Sequence, residues 1–231
     1  MKNILNFLVE TGNLKRIKRK GITFYCVKEA DSAVDHTFRT AMLAWILGVN
    51  KELNIEKTIK IALVHNLCKV YAGDITPYDG FLPKNKKKKD EFVKKWRRLS
   101  KPDKRKIFNE KIKKEKKSLE KLTSKLPKEI KREIRNLWLE YEMCKTPEGK
   151  FVNQLDMAEN LLEAFECWRN DKKFPTRPWW EHADEVIDDP VILEFLKEIE
   201  KEELKYNKTV RTKRYEKKRK NQKRNDNRRG Y

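Results

Sequence analysis

An all-α helical bundle is the fold class this sequence predicts, on three observations. Its apolar residues recur at spacings of three and four, the period of one helix face. No run alternates apolar and polar residues like a half-buried strand. Ser or Pro stands just before several periodic segments, where helices begin. A chain of 231 residues can bury one sizeable core. No period of 20 to 50 residues repeats, which argues against a solenoid.

Taken in order, Ile4, Leu5 and Leu8 predict a short first helix that Gly12 ends. Residues 13–31 read as an irregular basic, then aromatic, connection. Ser32 followed by Asp35 resembles a capping signal for a helix over 33–48, with Ala41, Ala44, Trp45 and Leu47 on its apolar face. A third helix is expected over 55–71, stopped by Gly73. Pro127 opens a helix through Trp138, Tyr141 and Met143. Pro147 opens the next, whose stripe is Phe151, Leu155, Ala158, Leu162 and Phe165. A proline-punctuated connection with a short helix follows, and a last amphipathic helix begins after Pro190.

Charge is unevenly spread. The net charge is +21, and residues 84–117 hold 18 basic against 5 acidic residues, while residues 205–231 hold 13 against 2. The remainder is near neutral, so a globular body with two basic attachments is expected, an asymmetry suited to a polyanion. No run of about 18 apolar residues suggests a membrane span, and the N-terminus lacks a signal-peptide pattern. The expectation is an intracellular chain, in cytoplasm or nucleus, with an organelle matrix left open and no membrane partner. The cysteines Cys26, Cys68, Cys144 and Cys167 form no CxxC pair, which favours reduced thiols.

Chemistry-bearing residues gather in four fragments: SAVDHTFR (32–39), LVHN (63–66), GDITP (73–77) and KFVNQLDMAENLLEA (150–164). On a continuous helix His65, Asn66 and Lys69 would share about 100° of arc. A histidine alone on a helix is more often a packing residue than a ligand. In this order and company, with NLKRIKRKG and LWLEYE, the fragments resemble the HD-domain phosphohydrolases, in particular the small 5'-deoxynucleotidases, from about Ile4 to about Glu200. The resemblance implies an HD-domain helical bundle. It also implies a divalent metal (Mn, Co or Mg) at His36, His65, the residue after it and Asp156, a substrate-contacting Asp74, and a basic Arg19 near the phosphate. A homodimer is implied by the same resemblance.

Three positions depart from that family's pattern. Asn66 stands where the His-Asp pair has Asp, Lys69 where a Glu is expected, and Ile22 where an aromatic residue is usual. Losing two negative charges and gaining a positive one beside a divalent ion is costly, since one unit pair at 4 Å is worth roughly 4 kcal/mol at an effective dielectric of 20. The expectation is therefore a degenerate site, vestigial at His36, His65, Asn66 and Asp156. No cofactor is expected, Lys69 compensates Asp74 and Asp156 in place of a metal, and Arg19 and Asp74 line a substrate-like pocket.

The basic attachments then suggest the function. Against the family, 84–118 reads as an insertion, with Phe92, Trp96 and Leu99 on one edge and a new helix start at Ser100 and Asp103. Residues 1–204 are expected to form the HD-type domain, and 205–231 a tail too polar to fold unless bound. Lys86, Lys87, Lys88, Lys89, Arg97 and Arg98 of the insertion are the first set of expected RNA contacts. Arg211, Lys213, Arg214, Lys217, Lys218, Arg219, Lys220, Lys223, Arg224, Arg228 and Arg229 of the tail are the second. The expectation is a catalytically silent RNA-binding component of a ribosome or other ribonucleoprotein, contacting its neighbouring subunits. The alternative is an active metal-dependent 5'-deoxynucleotidase, and a third reading is a nucleotide sensor that binds without hydrolysis.

Overall fold

The computed structural model describes residues 1–25, 27, 29–76, 88, 91 and 100–206. Among these the chain is helical, and the sole β feature is an isolated bridge between Lys18 and Ser32. It divides into two compact units, Met1–Val186 and Ile187–Tyr231. The larger unit holds α1 (Lys2–Thr11), a 3-10 turn (Gly12–Arg16), α2 (Lys20–Thr23), α3 (Ala33–Gly48), α4 (Ile55–Val64) and α5 (Lys69–Ala72). It continues with α6 (Lys101–Leu122), α7 (Lys128–Met143), α8 (Pro147–Asn170) and α9 (Arg177–Val186). In the second unit, α10 spans residues 190–206, with Ile192, Leu196 and Ile199 at helical spacing.

The cap expected at Ser32 is present in full. Ser32 Oγ accepts from the Asp35 N–H, and Asp35 Oδ2 accepts from the Ser32 N–H at 2.7 Å, two orphan donors satisfied reciprocally. Which face of α3 is buried differs from expectation. The inward residues are Ala33, His36, Thr40, Ala44 and Gly48, whereas Trp45 is 54% exposed. Small side chains let α3 lie close against α4 and α8, and that close approach carries His36 into the core.

The expected helix over 55–71 is broken. α4 stops at Val64, and residues 65–68 form turns in which Leu67 N bonds Val64 O and Lys69 N bonds Asn66 O. α5 is a single turn ended by Gly73, whose φ of +73° is open to glycine but strained for other residues. That reversal swings Asp74 back toward α2.

α8 is the central helix. It packs on α3, α4, α7 and α9, so its buried set extends past the expected stripe to Val152, Leu161, Ala164 and Trp168 and to the polar Gln154, Glu159 and Glu163. α6 begins at the Ser100 cap, with the Ser100 hydroxyl accepting from the Asp103 N–H. Its last third is core, because Glu115, Ser118, Leu119 and Leu122 are buried and Ser118 Oγ accepts from the Tyr71 N–H. Thus the far end of the segment read as an insertion is built into the bundle. Phe92, Trp96 and Leu99 lie outside the described residues.

α7 and α8 meet at Gly149. A Cβ there would stand 2.3 Å from the Glu140 carbonyl oxygen, inside any van der Waals contact. Gly149→Ala is expected to cost about 1–3 kcal/mol through overpacking, read as a lower urea midpoint at unchanged m-value. Stability equal to the parent's would mean that this backbone contact does not set the α7–α8 distance.

Candidate metal centre

Two helices supply most of the site through three- and four-residue steps, which keep side chains on one face. α3 presents His36 and Arg39; α8 presents Asp156, Glu159 and Glu163. His36 is fully buried, with Nδ1 hydrogen-bonded to the Glu159 carboxylate. Its Nε2 is 2.8 Å from Asp156 Oδ1 and 3.2 Å from His65 Nε2. His65 sits just past the end of α4, and its Nδ1 is 2.5 Å from the Ala62 carbonyl oxygen.

These contacts fix the tautomers. A carbonyl oxygen only accepts, so His65 Nδ1 carries the hydrogen and Nε2 presents a lone pair. Burial pushes the His65 imidazole down to about 3, so it is neutral at neutral pH. Glu159 stays ionised: burial opposes this, but the charge of His36 and its hydrogen bond, helped by Arg39, win. His36 Nδ1 therefore donates to Glu159, and its Nε2 also faces the centre. Asp156 Oδ1 completes the set. Its carboxyl lies well below the usual range, because the hydrogen bond and charge of His36 outweigh burial.

Once His36 Nε2 gives up the proton it shares with Asp156, three electron-pair donors converge, with all ligand atoms within 4.8 Å of one another. Without a positive charge between them they repel. Either a proton on His36 Nε2 or a divalent cation relieves the repulsion. Neighbouring carboxylates do raise the His36 imidazole above its ordinary value, although burial and Arg19 pull the other way. Ligands about 2.1 Å from one ion stand about 3 Å apart at right angles, so the observed 2.8 and 3.2 Å separations fit a cation. Glu159 and the Ala62 carbonyl hold the ring N–H groups from outside, as the outer partners of metal-bound histidines do.

A second cluster adjoins the first. Asp74 Oδ1 accepts from Lys69 Nζ at 2.6 Å and from Arg19 Nη1 at 3.4 Å, and its Oδ2 accepts from the Lys20 N–H at 2.8 Å. Burial opposes the Asp74 charge, yet Lys69 and Arg19 overcome it and hold the carboxyl far below its ordinary value. Arg19 Nη2 bonds Asn160 and stands 4.0 Å from Asp156 Oδ1, so Arg19 links the clusters. Asn66 is buried, and its Nδ2 donates to Thr37 Oγ1 at 3.0 Å. The structure thus brings together Arg19, His36, His65, Asn66, Lys69, Asp74 and Asp156. The expectation that no cofactor binds is corrected by the convergent donors, because the argument for it had Lys69 compensate both Asp74 and Asp156 in place of a metal, whereas Lys69 pairs with Asp74 and Asp156 faces His36. The Lys69 ammonium is matched by Asp74, and a complete three-donor set remains.

Sequence reasoning missed Glu159, Arg39, Tyr141 and Glu163. Arg39 Nε donates to Glu159 Oε1 at 2.7 Å, and its guanidinium also pairs with Asp31 and Glu166. Tyr141 donates to Asp156 Oδ2 at 2.8 Å. A signal was present: Glu159 and Arg39 each lie three residues beyond a candidate ligand on the same helix. Of the expected RNA contacts, Lys88 is helical and exposed. Lys86, Lys87, Lys89, Arg97, Arg98 and the whole tail set from Arg211 to Arg229 lie outside the described residues.

A helical bundle that aims two histidines and an aspartate at one point is a helical domain with a candidate metal site. The family model for the HD domain matches residues 11–182, and this chain belongs to that family. It is 34% identical over 172 residues to 5'-deoxynucleotidase HDDC2 of Xenopus laevis, covering 74% of this chain and 73% of that protein. The 5'-deoxynucleotidase hdd1 of Schizosaccharomyces pombe is 29% identical over 213 residues, covering 91% and 96%. A conserved hypothetical protein from Pyrococcus furiosus shares the fold at a TM-score of 0.61 and 21% identity, over 85% of this chain and 99% of that one. A predicted metal-dependent phosphohydrolase from Magnetospirillum magnetotacticum does so at 0.53 and 23%, over 71% and 72%. The expected catalytically silent, RNA-binding role is thereby corrected: the relatives are named as nucleotidases across most of the chain, and the donor set of a metal site persists. Among the described residues no helix is long and apolar enough to cross a membrane.

Glu163 offers a pH test of the buried site. It accepts from the Asp31 N–H at 3.2 Å while its Oε2 has no partner among the described residues. Burial first, and then the Glu159 charge, push its carboxyl up to about 7. The folded state then holds a proton that the unfolded chain releases near 4.5, so stability falls as pH rises between about 4.5 and 7 and levels off above. Glu163→Gln is expected to flatten that fall, by on the order of 2–3 kcal/mol across the window, in denaturant melts at pH 5 and pH 8. Parallel pH profiles for the variant and the parent would refute this.

Proposed function

We propose that this chain is a metal-dependent phosphohydrolase that removes phosphate from deoxynucleoside 5'-monophosphates. The observation that carries the reading is the convergence of His36 Nε2, His65 Nε2 and Asp156 Oδ1 as lone-pair donors in a buried site. A divalent cation held there supplies a Lewis acid for a phosphoryl oxygen and lowers the pKa of bound water. The support from comparison is the set of 5'-deoxynucleotidases at 32–34% identity over about 70% of the chain.

The chain's own residues do the remaining work. Glu159 and the Ala62 carbonyl fix both imidazole tautomers, so no reorientation precedes metal binding. Tyr141 and Asn160 Nδ2 each donate to Asp156, holding its carboxylate in place. Lys69 stands where a carboxylate would act on water, so its role changes sign. One ammonium hydrogen is on Asp74, and the others serve a phosphoryl oxygen. Asn66 contributes a neutral amide in place of a charged ligand, which lowers metal affinity without blocking the site.

The test is phosphate release from the four deoxynucleoside monophosphates by the full chain with manganese, cobalt or magnesium. Release is expected with at least one metal, lost in chelator and lost in Asp156→Ala. Glu159→Gln should weaken metal affinity about 10- to 100-fold, and Asn66→Asp should strengthen it about tenfold or more, by restoring one ligand charge. Nucleotide binding with no release under all three metals would overturn hydrolysis in favour of a sensor.

A further inference from the structure

Lys69 opens α5, a single turn of four residues. One turn of helix fixes more backbone freedom than its own bonds repay, so its placement has to come from outside. The hydrogen-bond ladder shows where. Up to Val70 it runs in three-residue steps, Lys69 N to Asn66 O and Val70 N to Leu67 O. From Ala72 it runs in four-residue steps, Ala72 N to Cys68 O and Gly73 N to Lys69 O. The Tyr71 N–H falls between the two patterns. It donates instead to Ser118 Oγ of α6 at 3.3 Å, and the Ser118 hydroxyl in turn donates to the Cys68 carbonyl. Ser118 is buried, and a buried backbone N–H left without an acceptor is costly.

One hydroxyl therefore grips the backbone on both sides of Lys69. Farther along α6, Lys121 lies three residues beyond Ser118 and so on the same face, with Nζ 3.8 Å from the centroid of the Tyr71 ring. The Tyr71 hydroxyl donates to Glu10 of α1. What this grip aims is the Lys69 ammonium, which reaches Asp74 Oδ1 at 2.6 Å with both side chains buried. A short buried contact between two charges depends on the backbone that carries them, because neither partner has water to fall back on. We infer that Ser118 is a positioning residue of the candidate site: by holding the Cys68 carbonyl and the Tyr71 N–H it fixes the turn that carries Lys69, and with it the direction of the Lys69 ammonium. Ser118 is the last residue of the segment read from sequence as an insertion, so that segment reaches the site through its final turn. The consequence for the ion pair is independent of the reaction, whereas the consequence for turnover rests on the phosphohydrolase reading.

The experiment is pulse acetylation of the full chain with acetic anhydride, which attacks accessible neutral amines, read by mass spectrometry of the peptides that bear Lys69 and Lys111. Lys111 is the internal control, since it is ion-paired to Glu115 at 3.2 Å on the same helix as Ser118. In Ser118→Ala the Lys69 rate is expected to rise about tenfold, the weight of one hydrogen bond, while the Lys111 rate keeps the parent's value. Phosphate release from dAMP should fall about tenfold in kcat/KM in the same variant. An unchanged Lys69 rate overturns the inference. So does an equal rise at Lys69 and Lys111, the mark of a general loosening of α6. Undiminished turnover beside a newly reactive Lys69 overturns it as well, because the ammonium's direction would then not matter to the site. If the parent releases no phosphate, the phosphohydrolase reading fails and the two acetylation rates alone decide the positioning role. Should Ser118→Ala fail to fold, Ser118→Cys, whose thiol is a weaker donor and acceptor, takes its place with the same outcomes.

Discussion

Three converging lone pairs that cannot coexist without a positive charge are the constraint around which this molecule is organised. His36, His65 and Asp156 meet where α3, the end of α4 and α8 converge, and each is held there by a hydrogen-bond partner. Burial in a low-dielectric interior makes the mutual repulsion large and makes its relief by one cation correspondingly strong. The small-residue face of α3 follows from this, since only a close α3–α8 approach can seat His36 against Asp156 and Glu159 together. Gly149 serves the same geometry from the other side, letting α7 come near enough for Tyr141 to reach Asp156.

Around this centre, charge is compensated in layers. Glu159 is matched by His36 and Arg39, and Asp74 by Lys69 and Arg19, while Arg19 spans toward Asp156. Farther out, Lys111 lies between Glu115 and Glu142 at the α6–α7 contact. Burial pushes the Glu142 carboxyl up to about 7, with Lys111 opposing and Glu115 adding to the rise. Buried charges that are paired and hydrogen-bonded are tolerable, whereas removing one partner is severe.

Lys69 illustrates how tertiary contacts set the effect of a single charge. On a continuous helix the Lys69 charge would share a face with His65. The lysine instead turns to Asp74, because the helix breaks at residues 65–68 and Gly73 returns the chain. The local net charge of the Lys69–Asp74 pair is near zero, so the donor set is not burdened by the full positive charge that a straight helix would place beside it.

Much of the fold was legible in the sequence. The capping box at Ser32, the helix starts at Ser100, Pro127 and Pro147, and the helical period all depend on local rules that act within one turn. The candidate ligands were legible as fragments, since histidine, aspartate and their neighbours occur in recognisable order. What local rules do not contain is the packing distance between helices. The break after Val64, the burial of α3 by its small face rather than by Trp45, and the pairing of Lys69 with Asp74 each depend on contacts between residues remote in sequence. The same holds for Glu159 and Arg39, whose roles exist only where α3 faces α8. The sequence determined the residue types, their helices and their order. Tertiary structure decided which lone pairs meet and which charges cancel, because electrostatic energy depends on separations that only the packed chain establishes.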